Sequence, residues 1–144
     1  LKANHDFEQL RKCIGIEPNE IFVGKTDYIA VVESEGDVVN LKPDFKEISK
    51  LPARGLIVTA KGTSVDFVSR FFAPQSGVDE DPVTGSAHTS LIPLWSAKLS
   101  KKEMNAMQLS RRGGKLICIN NGERCLIGGE ARLYLTGVIN INEN

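Results

Sequence analysis

Short apolar segments with helical spacing and with strand spacing alternate along the first part of the chain. Apolar positions at helical spacing predict a helix over residues 5–14, which Asp6 would cap and Gly15 would end. A shorter helix is predicted to begin at Pro43-Asp44. Strands are predicted at residues 21–24, 28–33, 37–41 and 55–60, with the middle two forming a hairpin across residues 34–36. The N-terminal part of the chain is therefore predicted to mix helices and strands.

The centre of the chain contains a segment that predicts a helix with apolar side chains on nearly every side. A strand is predicted over residues 65–73, followed by a long loop over residues 74–84 and then by this helix over residues 86–99. A helix that is apolar around most of its circumference belongs inside a core. Pro93 lies within it and is expected to bend the helix or to remove one backbone hydrogen bond.

The last third of the chain predicts three strands, at residues 115–120, 124–127 and 131–138. Asn121-Gly122 is typical of a tight hairpin turn between the first two. No repeat, low-complexity segment or long linker interrupts the chain, so residues 1–144 are interpreted as a single domain. The pattern as a whole predicts an α+β fold, in which a mixed sheet curls around the central helix.

The composition is that of an ordinary folded domain. Of 144 residues, 41% are hydrophobic and 25% are charged, which argues against a disordered chain, a collagen or a disulfide scaffold. The 18 basic and 18 acidic residues give a formal net charge of +0, unlike the basic surface of a nucleic-acid-binding protein. No apolar segment approaches the roughly 20 residues that a membrane-spanning helix needs. We therefore expect neither a nucleic-acid partner nor a membrane partner.

The cysteines and histidines indicate a reducing compartment and no metal site. Cys13, Cys118 and Cys125 are an odd number without a secretion signal, so we expect free thiols in the cytoplasm. Cys118 and Cys125 lie in predicted strands and are expected to be buried and inert. The only histidines are His5 and His88, and no metal-ligand spacing occurs, so no metal is predicted.

The segment that carries most of the chemical information is residues 77–88, where an acidic loop leads into the central helix. The first N–H groups of a helix have no partner within the helix, and the helix dipole is positive there. Gly85 allows a ligand to approach the backbone, so the amides of Gly85, Ser86 and Ala87 are candidates for binding a carboxylate or a phosphate. The alternative is that Thr84 or Ser86 simply caps the helix.

Asp81 and His88 lie on either side of the same helix start. A carboxylate near the positive end of a helix keeps its charge, transfers protons and can orient an imidazole. For Asp81 the alternative interpretation is an Asp-Pro turn. For His88 the alternative is a buried histidine that is hydrogen-bonded within the core. The sequence alone leaves both pairs of interpretations open.

A second candidate segment is residues 108–114, where two arginines precede a Gly-Gly turn. Arg112 and Gly113 are candidates for binding an anionic ligand, because a guanidinium group matches the geometry of a carboxylate. The alternative is a solvated turn that leads into the next strand.

The residues of these segments form a longer pattern. It comprises Ser69-Arg70-Phe71-Phe72-Ala73-Pro74, Gly77-Val78 and Glu80-Asp81-Pro82-Val83-Thr84-Gly85-Ser86-Ala87-His88, and continues through Leu91, Pro93, Trp95, Gln108, Ser110, Arg112-Gly113-Gly114 and Gly128-Gly129. This pattern resembles the phenazine-biosynthesis-like (PhzF) isomerase family. The resemblance covers about residues 55–138, and the first 50 residues match the family only in general character.

The resemblance implies the fold of diaminopimelate epimerase, in which two similar α+β halves face each other. Each half is a mixed sheet curled into a barrel-like form around a central buried helix. The active site lies between the halves, where the two helices point their N-termini at the substrate. The resemblance also implies a cofactor-independent isomerase or epimerase that moves a proton on a small carboxylate-bearing substrate, and a homodimer in the full-length form.

The resemblance assigns roles to individual residues. It implies a polar or proton-handling role for Asp81, and together with the observations on the helix start it makes Asp81, Ser86 and His88 the candidate catalytic residues. It implies that Gly85, Ser86 and Ala87 hold the substrate carboxylate, and the neighbouring Thr84, Arg112 and Gly113 are the further candidates for binding substrate. No cysteine lies in this pattern, so the two-thiol chemistry of related epimerases is not expected.

One departure from the family is large. The family's N-terminal half should carry its own Gly-rich helix opening and an acid–base glutamate, and residues 1–144 contain neither. Together with the non-Met start, this predicts that the chain is the C-terminal half of a two-half protein and that its missing N-terminal half is a partner. The isolated chain is then expected to be inactive or nearly so, with an uncovered face that favours self-association. The alternative is a non-catalytic module that keeps the fold and binds a small molecule or a partner.

Overall fold

Helices and strands are mixed throughout the part of the chain that the structure describes. The computed structural model describes residues 2–4 and 7–141. The α-helices are α1 (Phe7–Ile14), α2 (Glu35–Asn40), α3 (Phe45–Ile48) and α4 (Gly85–Leu99), and a single 3-10 turn spans Pro74–Ser76. The strands are β1 (Lys2–Asn4), β2 (Glu20–Val23), β3 (Asp27–Val31), β4 (Gly55–Lys61), β5 (Phe67–Ala73), β6 (Val78–Glu80), β7 (Glu103–Gln108), β8 (Gly114–Asn121) and β9 (Arg124–Gly128). The predicted α+β class is therefore confirmed.

All of these strands join one open, mixed sheet. Their order is β1-β2-β3-β4-β5-β7-β8-β9, and β6 pairs with β5 off this path. Two pairs are parallel, β3 with β4 and β5 with β7, and the others are antiparallel. Because β1 and β9 lie at opposite ends of the order, the described sheet does not close, and the barrel-like form that the resemblance implied is not observed.

Helices cover both faces of the centre of the sheet. Helices α1, α2 and α3 pack with Leu56, Val58 and Phe72 on one face, and α4 packs with Ile57 and Phe71 on the other. Alternate residues of β4 and β5 therefore point into two different cores, which explains why both strands are apolar almost throughout. The sequence-based prediction that both faces of the strand over residues 65–73 are covered is confirmed.

Helix α4 is buried on one broad side rather than all around. Beyond Gly85 at its start and Lys98 near its end, its exposed positions form a stripe, Ser86, Thr89, Pro93 and Ala97. Trp95 anchors the buried side, because its ring stacks on Phe67 with centroids 5.8 Å apart and its Nε1–H donates to the Thr59 hydroxyl at 2.9 Å. None of the described helices is long and apolar enough to cross a bilayer.

Pro93 removes one backbone hydrogen bond from α4, as the sequence predicts. The carbonyl that the missing N–H would serve belongs to Thr89, four residues earlier. That carbonyl instead accepts a weak hydrogen bond from the Cys125 thiol on β9, at 3.9 Å from Sγ. The helix is thus tied to the sheet at the position where its own hydrogen bonding is interrupted.

Two predicted helix boundaries are confirmed in the structure. Gly15 ends α1 with a φ of 75°, and its N–H donates to the Arg11 carbonyl at 2.8 Å. Asp44 caps α3, and its carboxylate accepts from the amides of Lys46 and Glu47, both at 3.0 Å. The predicted start of the first helix at residues 5 and 6, with Asp6 as its cap, lies outside the described residues.

The hairpin predicted across residues 34–36 is wrong, because residues 35–40 form helix α2. Ser34 and Asp37 make a reciprocal capping box. The Ser34 hydroxyl accepts from the Asp37 amide at 3.1 Å, and the Asp37 carboxylate accepts from the Ser34 amide at 2.9 Å. Two satisfied donors at the start of a short helix outweigh the strand preference of its valines.

Two further differences concern the last third of the chain. Strand β7 was not predicted, although its alternate residues Met104, Ala106 and Gln108 are all buried. The strand predicted over residues 131–138 is absent, and this segment has no regular structure. Its large apolar side chains are almost fully exposed, with Leu133 at 88% and Tyr134 at 98%. Strand-prone side chains form a strand only when a neighbouring strand pairs with them.

Candidate functional site

The candidate site lies where one edge of β5 is shared by two strands, an arrangement that we call the fork. Ser69 of β5 pairs with Gln108 of β7, whereas Phe72 of β5 pairs with Glu80 of β6. Between these pairs the Phe71 carbonyl accepts the Asp81 amide at 3.1 Å. The chain leaves the sheet at Asp81 and begins α4 four residues later, so the fork places the helix start beside the end of β7.

An ion pair holds the acidic strand that leads into the fork. Arg70 donates through Nε and Nη2 to the two carboxylate oxygens of Glu80, at 2.7 and 3.1 Å. Its Nη1 donates to the Leu41 carbonyl at 3.1 Å, and its guanidinium lies 5.0 Å from the centre of the Phe72 ring. Arg70 therefore fixes β6 on the face opposite α4 and is not placed to bind a ligand at the helix start.

Residues 81–84, the mouth loop, are fixed by the side chain of Gln108. Its Oε1 accepts from the Thr84 amide at 2.8 Å. Its Nε2 donates to the Asp81 carbonyl at 2.7 Å and lies 3.1 Å from the Thr84 hydroxyl oxygen. The end of β7 thus determines the conformation of the segment that precedes α4.

Residues 108–114, the arginine turn, pack along the mouth loop. The Ser110 hydroxyl donates to the Pro82 carbonyl at 2.8 Å and accepts from the Gly113 amide at 3.0 Å. Gly114 lies so close to Val83 that a Cβ at this position would be 2.4 Å from a valine methyl carbon. The turn is therefore held against the loop by contacts that extend over most of its length.

The start of α4 has no side-chain cap among the described residues. Thr84 occupies the N-cap position, but its hydroxyl donates to the Asp81 carboxylate at 2.5 Å instead of accepting from the helix amides. Gly85 and Ser86 are exposed. A Cβ built on Gly85 would meet nothing within 4 Å. The positive end of the helix thus faces open space, which is the arrangement that favours an anion.

A cleft of about 600 Å³ opens at this helix start. Its walls come from the mouth loop and helix start, the arginine turn with the beginning of β8, and the end of β9, namely Val83, Gly85, residues 112–116 and residues 127–130. The cleft brings together Gly85, Arg112 and Gly113, which are three of the residues that the sequence analysis assigned to substrate binding. Ser86 lies at the exposed start of α4, whereas Ala87 is buried.

Asp81 and His88 do not form the pair that the sequence analysis considered. The Asp81 carboxylate accepts from Thr84, whereas His88 is fully buried and its Nδ1 lies 2.8 Å from the Thr84 carbonyl oxygen. Burial lowers the pKa of His88, against a smaller opposing effect of that hydrogen bond. A neutral ring that is closed off from the cleft favours the interpretation of His88 as a buried, hydrogen-bonded residue of the core.

An ion pair that was not predicted from the sequence lies close to the same helix start. Arg54 donates to both carboxylate oxygens of the buried Asp27, at 2.9 and 2.5 Å, and its guanidinium lies 5.2 Å from the centre of the Phe71 ring. The hydrogen bonds with Asp27 raise the pKa of Arg54, with a smaller contribution from the charge of Asp81. The available signal was the arginine directly before the buried strand β4, together with the aspartate that begins its parallel neighbour β3.

The thiols of Cys118 and Cys125 are not poised for proton transfer. Burial raises the pKa of Cys118 to about 12 and also raises the pKa of Cys125. Within residues 2–4 and 7–141, no group of three or more histidine, cysteine, aspartate or glutamate side chains could hold a metal ion.

The fold and the site together define a mixed α+β protein whose central helix begins uncapped in a cleft with an arginine at its edge. The chain belongs to the family described as phenazine biosynthesis-like protein, PhzC-PhzF, which matches residues 5–137. The family resemblance inferred from the segment around the helix start is thereby confirmed.

Relatives from bacteria and mammals support this assignment. An uncharacterized isomerase of Pseudomonas aeruginosa is 50% identical over 135 residues, which cover 93% of this chain and 51% of that protein. A phenazine biosynthesis-like domain-containing protein of Rattus norvegicus is 50% identical over 104 residues, which cover 67% of this chain and 35% of that protein. The chain thus spans about half the length of the bacterial relatives that it matches.

Solved structures show the same fold. A phenazine biosynthesis protein of the PhzF family from Enterococcus faecalis superposes with a TM-score of 0.88 at 39% identity, over 93% of this chain and 52% of that one. A putative PhzC/PhzF protein from Clostridium difficile superposes with a TM-score of 0.85 at 42% identity, over 97% of this chain and 54% of that one.

Proposed function

We propose that this chain provides the substrate-carboxylate site of an isomerase that moves a proton on a small carboxylate-bearing molecule. The observation that carries the proposal is the uncapped start of α4. Its first residues, Gly85 and Ser86, are exposed, and Gly85 lines a cleft that Arg112 borders. A carboxylate there would accept hydrogen bonds from backbone amides and charge-assisted bonds from the guanidinium.

The proposed chemistry is general acid–base catalysis. Removing a proton beside a carboxylate or a carbonyl creates an enolate-like anion, and fixed donors at the helix start would stabilise that negative charge. In this scheme Asp81 is the polar or proton-handling group beside the helix, and the Ser86 hydroxyl is an additional donor. Such an isomerisation is redox-neutral, so we propose a reaction without a redox cofactor.

We further propose that this domain is the C-terminal half of a two-half enzyme. The support is that related isomerases are about twice as long as this chain. The second half would face the cleft and supply an acid–base glutamate, and the complete protein would form a homodimer in the cytoplasm. The isolated chain would then bind carboxylates but catalyse little or no exchange of substrate protons with solvent.

The test uses the intact protein with the substitutions Ser86→Ala and Asp81→Asn. Binding is measured by titration with benzoate, and turnover by incorporation of solvent deuterium into a panel of small carboxylates with acidic C–H bonds. We expect each substitution to lower kcat/KM by at least about tenfold, because a lost donor or proton-handling group acts mainly on the transition state.

The matched control is Ser90→Ala, which removes a hydroxyl from the next turn of the same helix and should leave turnover unchanged. Unchanged turnover in both Ser86→Ala and Asp81→Asn would remove these residues from the site. Binding of carboxylates without any deuterium incorporation by the intact protein would favour the non-catalytic binding module instead.

A further inference from the structure

Gln108 is a buried polar residue of the fork to which the proposed chemistry assigns no role. Its side chain is fully buried, and all of its hydrogen-bonding partners belong to the mouth loop. A buried amide of this kind needs both its acceptor and its donors to be satisfied. The Thr84 N–H donates to the side-chain oxygen of Gln108, and the Asp81 carbonyl accepts from the side-chain nitrogen. The orientation of the Gln108 amide is therefore fixed.

The Thr84 hydroxyl is the group that this arrangement controls. Threonine at an N-cap position ordinarily turns its hydroxyl oxygen toward the amides of the second or third helical residue, here Ser86 and Ala87. In this structure the hydroxyl donates to Asp81 instead and lies beside Gln108 Nε2. The residue best placed to cap the helix is therefore held away from it.

We propose that Gln108 is a positioning residue that prevents Thr84 from capping its own helix, so that the amides at the start of α4 remain free for the substrate carboxylate. This inference rests on the proposed carboxylate site. The Gln108 side chain contacts both the backbone N–H and the hydroxyl of Thr84. It also holds the backbone carbonyl of Asp81, whose side-chain carboxylate accepts the Thr84 hydroxyl. Without Gln108, Thr84 would rotate to the ordinary capping position and compete with the ligand.

The structure gives independent reasons why the loop itself should survive a change at Gln108. Ser110 bonds the Pro82 carbonyl at 2.8 Å, and Gly114 packs tightly against Val83. The Asp81 amide is bonded to Phe71 in β5 at 3.1 Å. Removal of the Gln108 amide should therefore free the Thr84 side chain while most contacts of the mouth loop remain.

The test compares four forms of the intact protein, namely wild type, Gln108→Leu, Thr84→Val and the double variant. Benzoate is the probe, and its affinity is read from the backbone amide shifts of Gly85 and Ser86. We expect Gln108→Leu to weaken benzoate binding about fivefold, the factor by which a threonine N-cap typically stabilises a helix start. Thr84→Val in the Gln108→Leu background should restore the affinity to within about twofold of Thr84→Val alone, because valine has no hydroxyl to cap the helix.

Met104→Leu is the control for a volume-conserving change on the same strand, and it should leave benzoate affinity unchanged. Restored binding in the double variant supports the inference, because general damage to the site would make two substitutions worse than one. Wild-type affinity in Gln108→Leu, or a double variant as weak as Gln108→Leu, would overturn it. Wild-type protein without any benzoate shift at Gly85 and Ser86 would reject the proposed carboxylate site, and this inference with it.

Discussion

At the scale of single residues, His88 shows how burial decides between two chemical roles. If its imidazole were exposed to the cleft, His88 could carry a proton. If its imidazole is buried in the core, His88 is a neutral packing residue. In the structure the His88 side chain is fully buried, and its Nδ1 is hydrogen-bonded to the Thr84 carbonyl. Its Nε2 has no hydrogen-bond partner in the described part of the chain. An uncharged ring is the form that such surroundings tolerate.

This burial predicts a loss of stability as the pH falls. The folded-state pKa of His88 lies below its ordinary value, so the unfolded chain binds the proton more readily. The free energy of unfolding should therefore decrease as the pH falls through about 6.5, by up to about 1.4 kcal/mol per pH unit until the folded-state pKa is reached. Urea unfolding at pH 7.5 and at pH 5.5 measures this decrease.

The variant His88→Asn removes the titrating group and retains an N–H that can donate to the Thr84 carbonyl. Its stability should fall less than that of the wild type between the two pH values, because the asparagine does not titrate. His5→Asn changes the other histidine and serves as the control. Equal pH dependence in the wild type and in His88→Asn would contradict the assignment of a neutral, buried imidazole.

At the scale of elements, the arginine turn and the mouth loop behave as one unit because a glycine lets them touch. Gly114 begins β8, and its φ is not positive, so any residue could adopt its backbone conformation. Glycine is needed at this position because Val83 leaves no space for a Cβ. A side chain at this position would separate the turn from the loop and move Arg112 away from the helix start.

We therefore expect Gly114→Ala to destabilise the protein by about 1–3 kcal/mol, the usual effect of overpacking, and to weaken benzoate binding. Gly36→Ala is the matched control, because a Cβ there would meet only the Ser34 hydroxyl at 3.5 Å, within helix α2. The control should be neutral or stabilising by up to about 1 kcal/mol. Urea unfolding compares the two variants, and equal stability of both would show that the turn and the loop are not in tight contact.

The elements also show what sequence patterns can and cannot predict. Helix α4, β4, β5 and the hairpin of β8 and β9 were predicted because long apolar periodicity or a strong turn signal defines them. Helix α2 was mistaken for a strand because its valines favour strands, whereas a capping box at Ser34 decides the local structure. Strand β7 was overlooked because methionine, alanine and glutamine at its inward positions are weak signals of a strand.

The candidate site was predictable only in part, for a similar reason. The helix start and the Arg-Gly-Gly turn are contiguous motifs, so Gly85 and Arg112 were identified from the sequence. Gln108 and Arg54 act on residues that are far away along the chain, the first through the fork and the second through parallel strands β3 and β4. Only the three-dimensional pairing of strands brings these contacts together.

At the scale of the whole molecule, the segment after β9 stands apart from the rest of the fold. Its six large apolar side chains, Leu133, Tyr134, Leu135, Val138, Ile139 and Ile141, are each at least 78% exposed. The segment has strand-forming composition, and it pairs with no strand in the described part of the sheet. Apolar surface of this kind favours association with another chain.

The 144-residue chain alone is therefore expected to self-associate as its concentration rises, which light scattering over a concentration series would detect. The double substitution Leu133→Asp and Leu135→Asp should shift the chain toward monomer. Val39→Asp, at an exposed but isolated valine of α2 (55% exposed), should not. A clean monomer of the unmodified chain at every concentration would contradict the expectation.

The fork has a consequence for the order in which the molecule can assemble. Ser69 and Gln108 are neighbours in the sheet, but β6 and the whole of α4 lie between them along the chain. Closing this long loop costs conformational entropy, and the packing of α4 against the sheet helps to offset that cost. The cleft is consequently not formed by any single contiguous segment that could fold by itself. It appears only when the helix and both strands of the fork are in place, so a formed site reports that this entire region has folded.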